Sequence, residues 1–188
     1  MPVARTFAGL IAHQSLLMNI DDCHHTFLDL AKTIMPGNMD RLHNAMERPL
    51  LAAVFSQPGQ GVASVAATLG LKADFSGCYV LLDGDKPIYV GISRSVLNRL
   101  RQHMLGTDHF SASLAYAMAK KQHGTFLGTR EAAMSDTDFG TEFKASQEYL
   151  RTLLVAAVAI ENPLELYVFE AYAAMTLKTS EWNTFRTH

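Results

Sequence analysis

The sequence has few cysteines, little net charge and no long apolar run, and each absence excludes a class of protein. Its 188 residues include two cysteines, Cys23 and Cys78, too few on their own for a disulfide framework or a thiolate zinc site. No apolar stretch approaches the roughly 20 residues that cross a bilayer. The net charge of −2 predicts no overall basic surface of the kind typical of nucleic-acid-binding proteins.

The remaining composition is that of a folded protein, with 48% hydrophobic and 18% charged residues. The N-terminus carries an arginine and an apolar stretch, but His13 and Gln14 interrupt it and no small-residue cleavage site follows. We therefore expect no signal peptide, no membrane association and a cytoplasmic location.

The first part of the chain has a helical pattern. Apolar residues recur at spacings of three to four through residues 1–56, with a predicted break at Pro36-Gly37-Asn38 and a further short helix over residues 42–54. A loop is predicted at residues 57–61, followed by one or two helical turns over 62–69. Residues 1–75 are thus predicted to form a helical N-terminal extension.

The pattern changes at Gly77. Residues 78–82 and 88–90 are two β-prone runs separated by turn residues, which predicts a hairpin. Helices are predicted over 93–104, 114–121 and 139–154, a third strand over 155–160, and a final helix from Asn162-Pro163 to Lys178. The predicted fold class of residues 76–188 is α/β (α+β), a small three-stranded, mainly antiparallel sheet flanked by helices.

Four side chains around the predicted hairpin have a chemistry that a hydrophobic core does not need. Tyr79 and Tyr89 lie on the two strands, and Arg99 and His103 lie four residues apart on the next helix, where they share a face. A cation, an imidazole and two phenols together can bind a phosphodiester and move protons.

These residues carry a family resemblance. Gly77-Cys78-Tyr79 and Tyr89-Val90-Gly91 resemble the two halves of the GIY-YIG nuclease signature, with apolar replacements at Cys78 and Val90. Arg99 and His103 fall where that family has an arginine and a histidine, and Glu170 and Asn183 match its later glutamate and asparagine. The resemblance covers about residues 76–185 and implies the GIY-YIG nuclease fold.

The resemblance implies a metal-dependent endonuclease that hydrolyses DNA phosphodiester bonds to 5′-phosphate and 3′-hydroxyl ends. Arg99 would neutralise charge on the phosphoryl group, and Tyr79 would accept the proton of the attacking water. Tyr89 would orient that water, and His103 would relay protons. Glu170 would hold Mg²⁺ or Mn²⁺, which suit a carboxylate combined with waters and phosphate oxygens. Asn183 would orient that carboxylate or the backbone.

A local basic pattern offers candidates for DNA contact. Between residues 94 and 121 the sequence contains five basic residues and a single acidic one, Asp108. The residues predicted to bind nucleic acid are Arg94, Arg101, Lys120, Lys121 and Arg186. The metal-ligand types around His24-His25 lie on neighbouring helical positions that point apart, which disfavours a zinc site there.

Two other functions remain open from the sequence. The same fold could serve as a catalytically silent nucleic-acid-binding or scaffold module, or the nuclease could act on RNA or single strands. Because residues 1–75 have little basic character, we expect this extension to pack on the nuclease domain or to mediate a homodimer. Target choice would then come from DNA structure or from a targeting partner protein.

Overall fold

An antiparallel sheet lies at the centre of the fold. The computed structural model describes residues 20–124 and 128–185, and in these ranges the sheet has four strands in the order β1-β4-β2-β3. The strands are β1 (Leu50–Leu51), β2 (Gly77–Asp83), β3 (Lys86–Ser93) and β4 (Leu154–Ala159). The predicted fold class is confirmed, with one strand more than the three predicted.

The hairpin of β2 and β3 forms because turn residues separate two β-prone runs. Asp83 pairs with Lys86, and the register places Tyr79 opposite Gly91. Gly84 takes a φ of 57°, which a glycine adopts without a steric penalty. β2 also pairs with β4, so β2 is central and is buried from Gly77 to Leu82.

Helices cover both faces of the sheet. One face packs on a cluster built mainly from α3 (Val62–Thr68), α4 (Val96–Leu105), α5 (Ser113–His123), α6 (Arg130–Ser135) and α7 (Thr137–Thr152). The other face packs on α2 (Met35–Met46) and α8 (Pro163–Leu177). Since side chains alternate along a strand, β2 directs Tyr79 and Leu81 to the first cluster and Cys78 and Val80 to the second.

The predicted break at Pro36-Gly37-Asn38 is wrong. Helix α1 (Phe27–Asp29) begins with a capping box between Thr26 and Asp29, and it continues through a π-helical turn at Leu30–Ile34 into α2. Pro36 lies at the start of α2, where the missing N–H is tolerated. The π turn before it bonds the Met35 N–H to the carbonyl of Leu30.

The short helix predicted over 42–54 is also corrected. Helix α2 ends at Met46, the pair Leu50–Leu51 forms β1 against β4, and a 3₁₀ helix follows at Ala52–Ser56. Ala52, Phe55 and Val65 join the same core cluster as Tyr79. Within the described residues, therefore, the segment before residue 76 packs on the sheet. The boundary at residue 75 stays a prediction.

No helix in the described residues is both long and apolar enough to span a bilayer.

Candidate active site

Tyr79 and His103 form a buried hydrogen-bonded pair. The Tyr79 Oη atom lies 2.6 Å from His103 Nε2. Tyr79 is 1% exposed and His103 is fully buried, because β2 is the central strand and the buried face of α4 packs against it. The other ring nitrogen of His103, Nδ1, is buried and has no hydrogen-bond partner among residues 20–124 and 128–185. Within these ranges, the phenol of Tyr79 is therefore the one polar contact of the imidazole nitrogens.

Gly91 leaves the space that Tyr79 occupies. The two residues are paired across the hairpin, and a Cβ atom at position 91 would overlap Cζ and Oη of Tyr79. It would also lie 2.9 Å from Cε1 of Tyr89. The glycine in the second half of the motif thus has a steric reason, since any larger residue displaces the phenol from His103.

Tyr89 completes an aromatic triangle. Its ring centroid is 6.2 Å from that of Tyr79 and 5.9 Å from that of His103. The Tyr79 and His103 centroids are 5.8 Å apart in an edge-on arrangement. Tyr89 is half-buried, whereas the other two rings are buried. It is therefore the member of the triangle that a substrate can reach first.

Arg99 lies beside this triangle with its guanidinium held by neutral oxygens. Its Nη1 donates to the Ser111 carbonyl at 2.8 Å and its Nη2 to Ser113 Oγ at 2.7 Å. A weaker bond at 3.3 Å joins Nη1 to Gln102 Oε1. None of the ion pairs among residues 20–124 and 128–185 involves Arg99. Its positive charge is therefore free to act on its neighbours.

Burial and the Arg99 charge set the protonation of the pair. Burial raises the pKa of Tyr79 well above its usual 10, and the Arg99 charge partly opposes that rise. Burial also lowers the pKa of His103 to about 3, with the Arg99 charge acting in the same direction. At neutral pH the pair is consequently a neutral phenol and a neutral imidazole.

Glu170 reaches the site from α8. Its carboxyl group is half-buried, and burial raises its pKa. The Glu170 charge also raises the pKa of Tyr89 and of Cys78, and in both cases burial is the larger cause of the rise. The structure thus places Glu170 within electrostatic range of the second tyrosine of the motif.

The donor set at Glu170 fits one kind of metal ion. The described residues give its carboxylate no hydrogen bond or ion pair, and they contain no group of three or more His, Cys, Asp or Glu side chains that could hold a metal. A single unpartnered carboxylate suits Mg²⁺ or Mn²⁺, which keep several waters and take their other ligands from phosphate oxygens.

Asn183 binds the outer edge of β3. Its Oδ1 accepts from the Val90 N–H at 2.9 Å and its Nδ2 donates to the Val90 carbonyl at 2.7 Å. Both bonds lie beside Tyr89 in the sequence. The side chain therefore fixes the strand that carries Tyr89, and within the described part of the chain both of its hydrogen bonds go to Val90 and none to Glu170.

The residues predicted to bind nucleic acid differ in their surroundings. Arg94 and Lys120 are exposed, whereas Arg101 donates to the Phe55 carbonyl at 3.0 Å. Lys121 is 2.8 Å from Glu181 and lies over the Trp182 ring. Arg186 lies outside the described residues. Their role in binding stays a prediction.

Sequence reasoning missed the residues that place Arg99. Ser113 and the Ser111 carbonyl hold the guanidinium, and Asp74 accepts from the Leu97 and Asn98 N–H groups at the start of α4. An aspartate before a helix is a recognisable signal, but Asp74 lies 23 and 24 positions from these two partners, so no local pattern reveals it.

Residues 75–135 match the family model of the GIY-YIG catalytic domain, a range that includes both tyrosines, Arg99 and His103. The chain contains a GIY-YIG domain. The matched range ends before Glu170 and Asn183, which the fold returns to the same region of the GIY-YIG hairpin.

A curated relative from Pseudomonas putida is named carboxy-S-adenosyl-L-methionine synthase. It is 26% identical over 133 residues, which cover 71% of this chain and 53% of the relative. The chain thus spans about half the length of the curated relative it matches. No solved structure matches the chain significantly.

Proposed function

We propose that the protein is a metal-dependent endonuclease that hydrolyses DNA phosphodiester bonds to leave 5′-phosphate and 3′-hydroxyl ends. The observation that carries the proposal is the hydrogen bond between Tyr79 and His103, with Tyr89 against both rings. This pair lies inside a GIY-YIG domain, whose family consists of nucleases.

The role of Arg99 follows from its uncompensated charge. In phosphoryl transfer, negative charge builds on the non-bridging oxygens, and a preorganised cation stabilises it without reorganisation. The guanidinium is held by the neutral oxygens of Ser111 and Ser113, so it presents a full positive charge to a phosphate. Its planar fork can contact two phosphate oxygens.

Tyr79 and His103 provide a path for the proton of the attacking water. The water oxygen bonds to phosphorus while the bond from phosphorus to the 3′ oxygen breaks, and the water proton passes to Tyr79 Oη. The phenol proton passes in the same step to His103 Nε2, 2.6 Å away. A neutral imidazole is needed to accept this proton, and His103 is neutral at pH 7 because burial and the Arg99 charge lower its pKa to about 3. The same two causes disfavour the imidazolium that forms, so the negative charge of a phosphate bound at Arg99 would have to stabilise it. Tyr89, half-buried beside both rings, would orient the water.

Glu170 is the residue that would hold Mg²⁺ or Mn²⁺. The bound ion would supply Lewis-acid stabilisation of the leaving 3′ oxygen. Asn183 would keep Tyr89 in place through Val90.

The setting of the enzyme is part of the proposal. DNA is the proposed partner, reached through the exposed Arg94 and Lys120, and the location is cytoplasmic. Because residues 1–75 have little basic character, the N-terminal helices would mediate a homodimer, and target choice would come from DNA structure or from a targeting partner protein.

A silent binding module is the second candidate, and a specific observation favours it. Tyr79 is 1% exposed, and Arg99 already donates to three oxygens. A site used only for binding needs neither an accessible phenol nor a metal carboxylate. Catalysis, in contrast, requires Tyr89 and Arg99 to move so that the substrate can contact them.

The deciding experiment compares substrates and variants in parallel. Supercoiled plasmid, linear duplex, single-stranded DNA and RNA are incubated with the protein in Mg²⁺, Mn²⁺ or EDTA. We expect metal-dependent cutting of DNA that Arg99→Ala and Glu170→Gln abolish and that Glu148→Gln, a change at an exposed carboxylate of α7, preserves. Equal cutting by wild type and Glu170→Gln contradicts the proposal of a metal-dependent endonuclease. Binding of nucleic acid without cutting by the wild type supports the silent binding module instead.

A further inference from the structure

The loop between α4 and α5 forms a socket for Arg99. Residues 106–112 leave the end of α4, turn, and enter α5 at Ser113. The Ser111 carbonyl and Ser113 Oγ both point at the guanidinium, at 2.8 and 2.7 Å from Nη1 and Nη2. Two acceptors on two different nitrogens fix the plane of the fork as well as its position.

The loop is itself held rigid. Asp108 accepts hydrogen bonds from the Phe110 N–H at 2.8 Å and the Ser111 N–H at 2.9 Å, and from Ser111 Oγ at 2.7 Å. Gln147 of α7 donates to the Gly106 carbonyl at 2.8 Å. A Cβ at Gly106 would overlap Ser111 Oγ, so this close turn requires glycine. The bonds of Asp108 and the bond of Gln147 therefore hold the loop in place, and with it the Ser111 carbonyl that accepts from Arg99.

The chemistry of the socket is selective. An arginine is commonly fixed by a carboxylate, which would cancel its charge and compete with a phosphate. Here the acceptors are a carbonyl, a hydroxyl and an amide oxygen, all neutral. The guanidinium has five N–H donors, and the three bonds leave some free for a further ligand. The arrangement orients the fork and preserves its charge.

We propose that Ser113 is a positioning residue of the active site, whose hydroxyl orients the Arg99 guanidinium for a phosphate without neutralising it. The inference rests on the proposed nuclease function, since it names a residue that acts through Arg99 on the scissile phosphate. It does not touch substrate itself. Ser113 is half-buried at the first position of α5, where a change from Ser to Ala leaves the helix its backbone bonds.

The test uses Ser113→Ala, Ser113→Thr and a matched control, Ser135→Ala. The Ser135 hydroxyl bonds a carbonyl of its own helix, α6, at 2.9 Å. Two properties are measured on each full-length variant: cleavage of plasmid DNA in Mg²⁺ with the affinity for the same DNA, and the NMR signals of the Arg99 Nη groups, assigned by their loss in Arg99→Lys. A thermal melt checks that each variant is folded.

We expect Ser113→Ala to lower the cleavage rate by about 10- to 100-fold with a DNA affinity within about threefold of wild type, since misplacement of a catalytic group acts mainly on the chemical step. The Arg99 Nη signals should change from hindered to fast rotation. Ser113→Thr, which keeps the hydroxyl, should restore both, and Ser135→Ala should change neither.

Two results overturn the inference. Unchanged Arg99 Nη signals in Ser113→Ala show that the hydroxyl does not hold the fork, and freed signals with unchanged cleavage show that its hold is irrelevant to the reaction. Absence of any cleavage by the wild type defeats the proposed function instead, and the Arg99 signals in Ser113→Ala then still decide whether the socket holds the fork.

Discussion

Replacement of Gly91 by alanine tests the steric basis of the site. The added methyl group would overlap Cζ and Oη of Tyr79 and approach Cε1 of Tyr89 at 2.9 Å. Tyr79 is 1% exposed and is enclosed by the sheet and α4, so its ring has no free volume to enter. Either the ring or the β3 backbone must move, and both movements lengthen the bond to His103.

The expected cost combines two terms. Insertion of a methyl group into a close-packed core costs about 1–3 kcal/mol, because neighbouring side chains and backbone must shift to make room. Loss of the bond between Tyr79 Oη and His103 Nε2 would leave two buried polar atoms unpaired, at about 1–3 kcal/mol. We therefore expect Gly91→Ala to lower the free energy of unfolding by roughly 2–6 kcal/mol.

Urea unfolding followed by the fluorescence of Trp182, the single tryptophan of the chain, measures this change. Gly37→Ala is the matched control, because position 37 lies inside α2 and none of the described residues places an atom within 4 Å of an added Cβ. This change should stabilise the protein by about 0.5–1 kcal/mol. Tyr79→Phe combined with Gly91→Ala should cost less than the sum of the single changes. A Gly91→Ala protein as stable as wild type refutes the argument.

Three further predictions concern the other site residues. The pKa of His103 is lowered from 6.5 to about 3, so the folded state resists protonation. The free energy of unfolding should therefore fall as the pH drops from 6.5 toward 3, by up to about 1.4 kcal/mol per pH unit. Urea titrations at several pH values should show this loss in wild type and not in His103→Gln. Burial raises the pKa of Glu170 above 4.5, so the folded state holds the carboxyl proton more tightly than the unfolded state. The contribution of the protonated carboxyl to stability is complete below pH 4.5 and is lost as the pH rises through the pKa of the folded state. Glu170→Gln should therefore match the stability of wild type near pH 4 and exceed it at pH 8, and the reverse order would contradict the burial of this carboxyl. Asn183→Leu removes both bonds to Val90, so it should cost about 1–3 kcal/mol and speed hydrogen exchange of the Val90 amide, whereas unchanged exchange would show that another group protects this edge.

Local signals allowed the hairpin and the helix after it to be predicted. Turn residues at 83–87 lie between two β-prone runs, and the four-residue spacing of Arg99 and His103 places both on one face of α4. Once Tyr79 points to that helix, the contact with His103 follows from the alternation of side chains along β2. These parts depend on a few neighbouring residues, which a sequence pattern records.

The remaining parts depend on contacts between distant segments. The pair Leu50–Leu51 extends only because β4 offers a free edge, and nothing in the local sequence distinguishes it from a helix. The predicted break at Pro36 failed because Pro36 lies in the first turn of α2, directly after a π-helical turn, where its missing N–H does not end the helix. The Arg99 socket needed the position of Ser113 relative to α4, which the packing of α5 determines.

The two charged groups of the site act on the same phenol from different elements. Tyr89 is buried enough for its pKa to rise, the Arg99 charge lowers that pKa, and the Glu170 charge raises it. Arg99 comes from α4 on one face of the sheet, and Glu170 comes from α8, which packs on the other. A polyanion approaching Tyr89 therefore meets attraction on the α4 side and repulsion on the α8 side. The cation proposed at Glu170 would convert the repulsive side into an attractive one, so this charge arrangement supports the proposal that a divalent ion takes part in nucleic-acid binding at the hairpin.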